Sequence, residues 1–144
     1  MEKTISEKNF YYICGINIYS YGIIHTDNAP KAIGPYSQAV KSGNMLFVSG
    51  QIPINPKTGE LSSGTIQEQT RLVLTNIGEI LKAAGYNYSN VVKTTCLLAD
   101  IKDFADMNGV YAEFFKENPP ARSAFAVASL PKGARLEIEV IAAK

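Results

Sequence analysis

Residues 65–98, TIQEQTRLVLTNIGEILKAAGYNYSNVVKTTCLL, hold one complete helix and one complete strand. Thr65 and Glu68 have the spacing of a capping box, in which each side chain takes an amide that the first helical turn leaves without a partner. Behind them Val73, Ile77, Ile80, Leu81 and Ala84 recur at the 3.6-residue period and mark one apolar face. Gly85 stands where a helix ends in a left-handed residue. Val91–Leu98 is rich in β-branched residues, which suit a strand.

Working outward, Asp103 can cap a second helix with Phe104, Met107, Tyr111 and Phe114 along one stripe, stopped by Pro119-Pro120. Ser123–Ala128 and Arg135–Ala142 read as two strands joined by the turn Pro131-Lys132-Gly133. In the last strand Leu136, Ile138 and Val140 alternate with Arg135, Glu137 and Glu139. Upstream, Ile23-Ile24 leads into the turn-rich segment His25–Pro30. Met45–Val48 reads as a buried strand broken at Ser49-Gly50, followed by Ile52–Ile54 and a turn at Asn55–Gly59. Strands, helix, strand, helix, strands is the order of an α+β layer with both helices on one sheet face. The other face then needs cover, so self-association is expected.

The chain has 144 residues, 46% of them hydrophobic, with 14 Lys+Arg against 13 Asp+Glu. That suits one domain burying roughly two-thirds of its unfolded surface. A net charge of +1 lacks the cationic excess that phosphate backbones demand, so nucleic acid is not an expected partner. Cys14 and Cys96 make no disulfide framework, and with His25 the only histidine there is no Cys/His zinc set. Residues 1–22, MEKTISEKNFYYICGINIYSYG, differ in character and read as an extension, either an added strand, an upstream start or a leader. Their charges cancel and polar residues interrupt the apolar run, which argues against a secretory signal or a membrane span. The first arginine is Arg71, against an arginine-rich transit peptide. Residues 23–144 form the main domain, with the cytoplasm as its expected location, or an organelle if residues 1–22 are a leader.

Arg122 opens an apolar strand after Pro119-Pro120-Ala121. Its planar fork suits bidentate capture of a carboxylate, although pairing with an internal acid is the commoner fate of such a residue. Glu137 and Glu139 share a strand face, where a carboxylate beside a ligand could orient or deprotonate water. An ordinary solvated face is the plainer alternative. His25 is isolated, Cys96 suits a small core residue, and Asn87-Tyr88-Ser89 fits a glycosylation sequon by chance. Glycines 43, 50, 59 and 64 match neither a phosphate loop nor a dinucleotide fingerprint. Residue chemistry alone leaves the function open.

Four segments narrow it: Ile33-Gly34-Pro35-Tyr36-Ser37-Gln38-Ala39; Phe47-Val48-Ser49-Gly50-Gln51-Ile52-Pro53; Pro120-Ala121-Arg122-Ser123; and Pro131-Lys132-Gly133 with Leu136-Glu137-Ile138-Glu139. With Val92-Lys93-Thr94-Thr95 and Asp103-Phe104-Ala105, they make the chain from about Ile24 to Ala142 closely resemble the RidA/YjgF family of enamine/imine deaminases. The resemblance implies a chorismate-mutase-like mixed sheet with two helices on one face, a homotrimer, and ligand clefts between subunits. It implies hydrolysis of 2-imino acids such as 2-iminopropanoate and 2-iminobutanoate to 2-keto acids and ammonia, without cofactor or metal. By position, Arg122 matches the arginine that grips the substrate carboxylate and Glu137 the acid that positions water. Tyr36, Ser49, Gly50, Phe104 and Asn108 match residues lining the cleft. Many bacterial members carry cysteine where this chain has Ala124, so no thiol role is implied here.

The implied chemistry suits these residues, because an iminium carbon is already electrophilic and needs only an oriented water and proton transfer. Two other readings remain: an endoribonuclease or translation inhibitor, a label also attached to the family, and a non-enzymatic module that binds keto acids. One histidine and near-zero net charge fit the first poorly. An arginine grips a carboxylate with or without subsequent hydrolysis, so the second stays open.

Overall fold

A computed structural model describes residues 5–7 and 21–144. Among the described residues, seven strands form one sheet: β1 (Ile5–Glu7), β2 (Tyr21–Ile24), β3 (Ala39–Ser42), β4 (Met45–Gln51), β5 (Val91–Leu98), β6 (Ala121–Ala126) and β7 (Leu136–Ala143). Their spatial order is β1-β2-β3-β4-β7-β5-β6. Every neighbouring pair is antiparallel except β5–β6, which is parallel. Parallel neighbours need a crossover, and helix α2 (Phe104–Phe114) supplies it, packing beside helix α1 (Ile66–Ala83). The result is an α+β layer with both helices on one face, as the element order predicts, built on the mixed sheet that the resemblance implies.

Helix α1 starts as expected. Thr65 Oγ1 accepts from the Glu68 amide at 3.2 Å, and Glu68 Oε2 accepts from the Thr65 amide at 2.7 Å. Gly85 adopts φ +81° just past the helix end, and Lys144 Nζ donates to its carbonyl at 2.7 Å. Val73, Ile77, Ile80 and Leu81 are fully buried, joined by Leu74. They face Leu46, Val48, Leu98, Leu136, Ile138 and Val140 across a single core.

Helix α2 departs from expectation at its start. A turn of 3-10 helix at Ile101–Asp103 precedes it, capped by Asp100, whose Oδ1 accepts from the Lys102 amide at 2.9 Å. The backbone is therefore already helical at Asp103, which makes no cap bond. Its carboxylate instead takes Arg135, at 2.6 Å from Nη2 and 3.1 Å from Nε. Met107 and Tyr111 are buried with Val110, while Phe104 and Phe114 pack at the core's margin.

Two strand readings are also corrected. β4 is buried on one side only: Leu46 and Val48 face the helices, whereas Phe47 is 46% exposed. It continues through Ser49-Gly50 to Gln51, with the pairing to β7 shifting register between Val48 and Gln51. A bulge of this kind re-aims side chains without ending the strand. β6 begins at Ala121, two residues earlier than expected, and does not pair with β7, because the crossover places β5 between them.

The sheet's other face carries an apolar row, with Ile23, Val40, Phe47 and Ile141 in register on β2, β3, β4 and β7. β1 pairs with β2. The reading of residues 1–22 as extension, start or leader falls largely on positions outside the described residues. Among the described residues, no helix is long and apolar enough to cross a membrane.

Candidate active site

The β4 bulge and β7 build one half of the site. Ser49 is tied back to the preceding segment, its amide donating to the Gln38 carbonyl at 3.0 Å and its hydroxyl to the Ser37 carbonyl at 2.6 Å. Gln38, buried at 2% exposure, binds the chain between Thr26 and Pro30. Its Oε1 accepts from the Thr26 amide at 2.7 Å, and its Nε2 donates to the carbonyls of Thr26 at 3.0 Å and Pro30 at 2.8 Å. Tyr36 stands exposed beyond this segment, its hydroxyl accepting weakly from the Ile33 amide at 3.4 Å.

These residues wall a cavity of about 470 Å³ that includes Tyr36, Ser49, Gly50, Glu137 and Glu139, with Ile33, Ile52 and Pro131 as apolar walls. Glu137 lies directly on the Gly50 backbone, since a Cβ at position 50 would fall on its carboxylate. Partial burial, and then the neighbouring Glu139, raise the Glu137 pKa above the ordinary carboxylate value. Both effects disfavour the anion, so this group holds a proton to higher pH than a free glutamate, as an acid–base participant needs.

Arg122 forms the other half, on β6. Its Nη1 donates to Asn108 Oδ1 at 2.8 Å. Its Cζ lies 4.6 Å from the Tyr111 ring centroid and 5.6 Å from that of Phe104. The ion pairs of the described residues are Lys31–Asp27, Arg71–Glu113 and Arg135–Asp103. Arg122 is in none of them, and the partners it touches among the described residues, Asn108, Tyr111 and Phe104, are neutral.

The structure thus gathers Tyr36, Ser49, Gly50 and Glu137 in one group, and Phe104, Asn108 and Arg122 in another. One chain does not bring the two groups together. Val140, Ile138 and Leu136 of β7 are buried toward the helices, which directs Glu137 and Glu139 to the other face. Arg122 is in register with Thr94 and stacks on α2, on the helical face.

Two contributors leave no signal of their role in the sequence. Tyr111 fitted the core stripe of α2 and gave no sign of touching Arg122. Gln38 lay inside a quoted motif, but nothing in the string reveals a buried glutamine. Cys96 is buried as expected, and burial pushes its thiol up to about 11. His25 is surface-exposed, with Nε2 3.4 Å from Asp27 Oδ1. Among the described residues, no three His, Cys, Asp or Glu side chains cluster as metal ligands would.

An α+β sheet with a half-apolar cavity on its open face, and on its edge strand an arginine in no ion pair among the described residues, marks a small-molecule-binding domain. The sequence profile of the endoribonuclease L-PSP family matches residues 26–144. A human 2-iminobutanoate/2-iminopropanoate deaminase is 55% identical over 120 residues, covering 83% of this chain and 88% of the relative. A RutC family protein of Pyrococcus horikoshii is 60% identical over 122 residues, covering 85% and 97%. Among solved structures, Escherichia coli TdcF with bound serine superimposes with a TM-score of 0.81 at 47% identity, covering 85% of this chain and 98% of that one. The chain belongs to this family, the RidA/YjgF proteins.

Proposed function

We propose that the protein hydrolyses reactive 2-imino acids, such as 2-iminopropanoate and 2-iminobutanoate, to 2-keto acids and ammonia. The observation that carries this reading is Arg122, a cation held by neutral partners on an exposed strand and in no ion pair among the described residues. The name borne by the human relative supports the same chemistry. Arg122 grips the substrate carboxylate in a fork. Glu137 takes a proton from water as the water oxygen bonds to the iminium carbon, giving a carbinolamine. That proton then passes to the amino group, the C–N bond breaks, and the departing ammonia takes the carbinolamine hydroxyl proton, leaving the ketone and ammonium. Substrate and water supply every atom, so the reaction needs neither redox partner nor external nucleophile.

The halves of the site leave the sheet on opposite faces, so in this reading Arg122 with Phe104 and Asn108 of one copy meets Glu137 with Tyr36, Ser49 and Gly50 of another. A homotrimer closing over the apolar row of Ile23, Val40, Phe47 and Ile141 accommodates this arrangement. Residues 23–144 are the unit that carries the activity, with residues 1–22 an addition to it.

The test is keto-acid and ammonia release from 2-iminopropanoate made in situ by an amino-acid oxidase. Acceleration above the uncatalysed rate, lost in Arg122→Ala, supports the proposal, and no acceleration overturns it. The serine held by the TdcF relative favours a second reading, a pure binding module. Glu137→Ala separates the two, because an enzyme loses rate and keeps keto-acid binding, while a binding module has no rate to lose.

A further inference from the structure

We infer that Tyr111 is the positioning residue of the carboxylate anchor, its ring forming the platform on which the Arg122 guanidinium is laid. The inference rests on the reading of Arg122 as that anchor. Tyr111 is 5% exposed, and its hydroxyl lies 2.8 Å from Thr94 Oγ1 in a buried hydrogen bond between α2 and β5. On another side its ring tilts against Phe115 at 4.6 Å and 37°. The ring is therefore fixed by its polar tip and by its body.

Thr94 is also the residue in register with Arg122. The strand pairing that sets where the arginine leaves the sheet thus sets, through Thr94, where the ring lies. A guanidinium is attracted to an aromatic face, and its fork reaches a carboxylate bidentately only at a fixed angle. Asn108 holds Nη1 alone, and one hydrogen bond leaves rotation about its own axis. The ring face removes that freedom without adding a negative charge that would compete with substrate. Preorganisation of this kind acts on binding.

The assembled full-length protein tests it with three variants. Tyr111→Leu removes the platform, Tyr111→Phe keeps the ring without its tether, and Thr94→Val removes the tether alone. For Tyr111→Leu, we expect about tenfold weaker binding of 2-ketobutanoate and an equal rise in KM, with kcat little changed. Tyr111→Phe is expected to restore binding to within about threefold of the parent. A packing role would lower Tm without this split, so parent-like keto-acid binding in folded Tyr111→Leu overturns the inference.

A second readout covers a Tyr111→Leu protein that fails to fold. The ring current on the Arg122 Nε–H resonance, recorded without ligand, is expected to shift or broaden in Thr94→Val, and an unmoved resonance overturns the inference. Parent-like keto-acid binding in Arg122→Ala would instead remove the anchor reading. Because the resonance needs no ligand, it reports on Tyr111 either way.

Discussion

Arg122 is in register with Thr94 on β5, and Glu137 with Leu97 three residues further along that strand. An odd separation on a strand reverses the face, so the two side chains leave the sheet on opposite sides. The proposed anchor and the proposed acid of one chain cannot meet around one small substrate. If the two act on one substrate, they do so from different copies of the chain.

Mixing experiments check this directly. Arg122→Ala alone should lose about 2–5 kcal/mol of transition-state binding, by analogy with truncating one partner of a buried charge pair, and Glu137→Ala should be comparably slow. Co-refolding the two inactive variants in equal amounts should restore about a quarter of parent activity, because a random mixture places one intact arginine beside one intact acid at that fraction of interfaces. Mixtures as inactive as their components would place the whole site within one chain.

Gly50 is the floor on which Glu137 lies. In Gly50→Ala the new methyl group must displace the carboxylate. The expected outcome is a fall in kcat of at least about tenfold from misplacement near the reacting atoms, with the melting temperature changed by only a few degrees. Parent-like turnover would show that the carboxylate position is irrelevant.

Glu139 contributes to raising the Glu137 pKa, after burial. If Glu137 works as the anion, activity falls as pH drops through that raised value. Glu139→Gln removes the repelling charge, lowers the Glu137 pKa and moves the acid limb of the kcat/KM profile to lower pH. An acid limb that stays put or moves upward contradicts this assignment.

Gln38 should matter for stability as well as for the site. Its buried amide serves three groups of the Thr26–Pro30 segment at 3.0 Å or less. Gln38→Leu leaves them without partners, at a cost of about 1–3 kcal/mol per unsatisfied group. Chemical denaturation should show a lowered midpoint with little change in slope, and an unchanged midpoint would mean that water replaces the amide.

Much of the fold was legible because it obeys short-range rules. The capping box at Thr65 and Glu68, the period from Val73 to Leu81 and the left-handed Gly85 each depend on residues within a few positions of one another. The start of α2 differs from the capped start that the sequence predicts because Asp103 has two possible partners, its own helix amides and an arginine 32 residues away. The arginine takes it, since the preceding 3-10 turn has already bent the backbone. The one-sided burial of β4 is not legible because its outward Phe47 is as apolar as its inward neighbours, which hides the alternation.

The sequence by itself determined that there are two helices, the buried face of the last strand and the family resemblance that nominates the site residues, since propensity, periodicity and motif are written locally along the chain. Only the tertiary structure decided that β5 lies between β6 and β7, that Arg122 has neutral neighbours and that it faces away from Glu137. Those facts follow from strand register and from a parallel crossover, which couple residues far apart in the chain and leave no periodic trace in it.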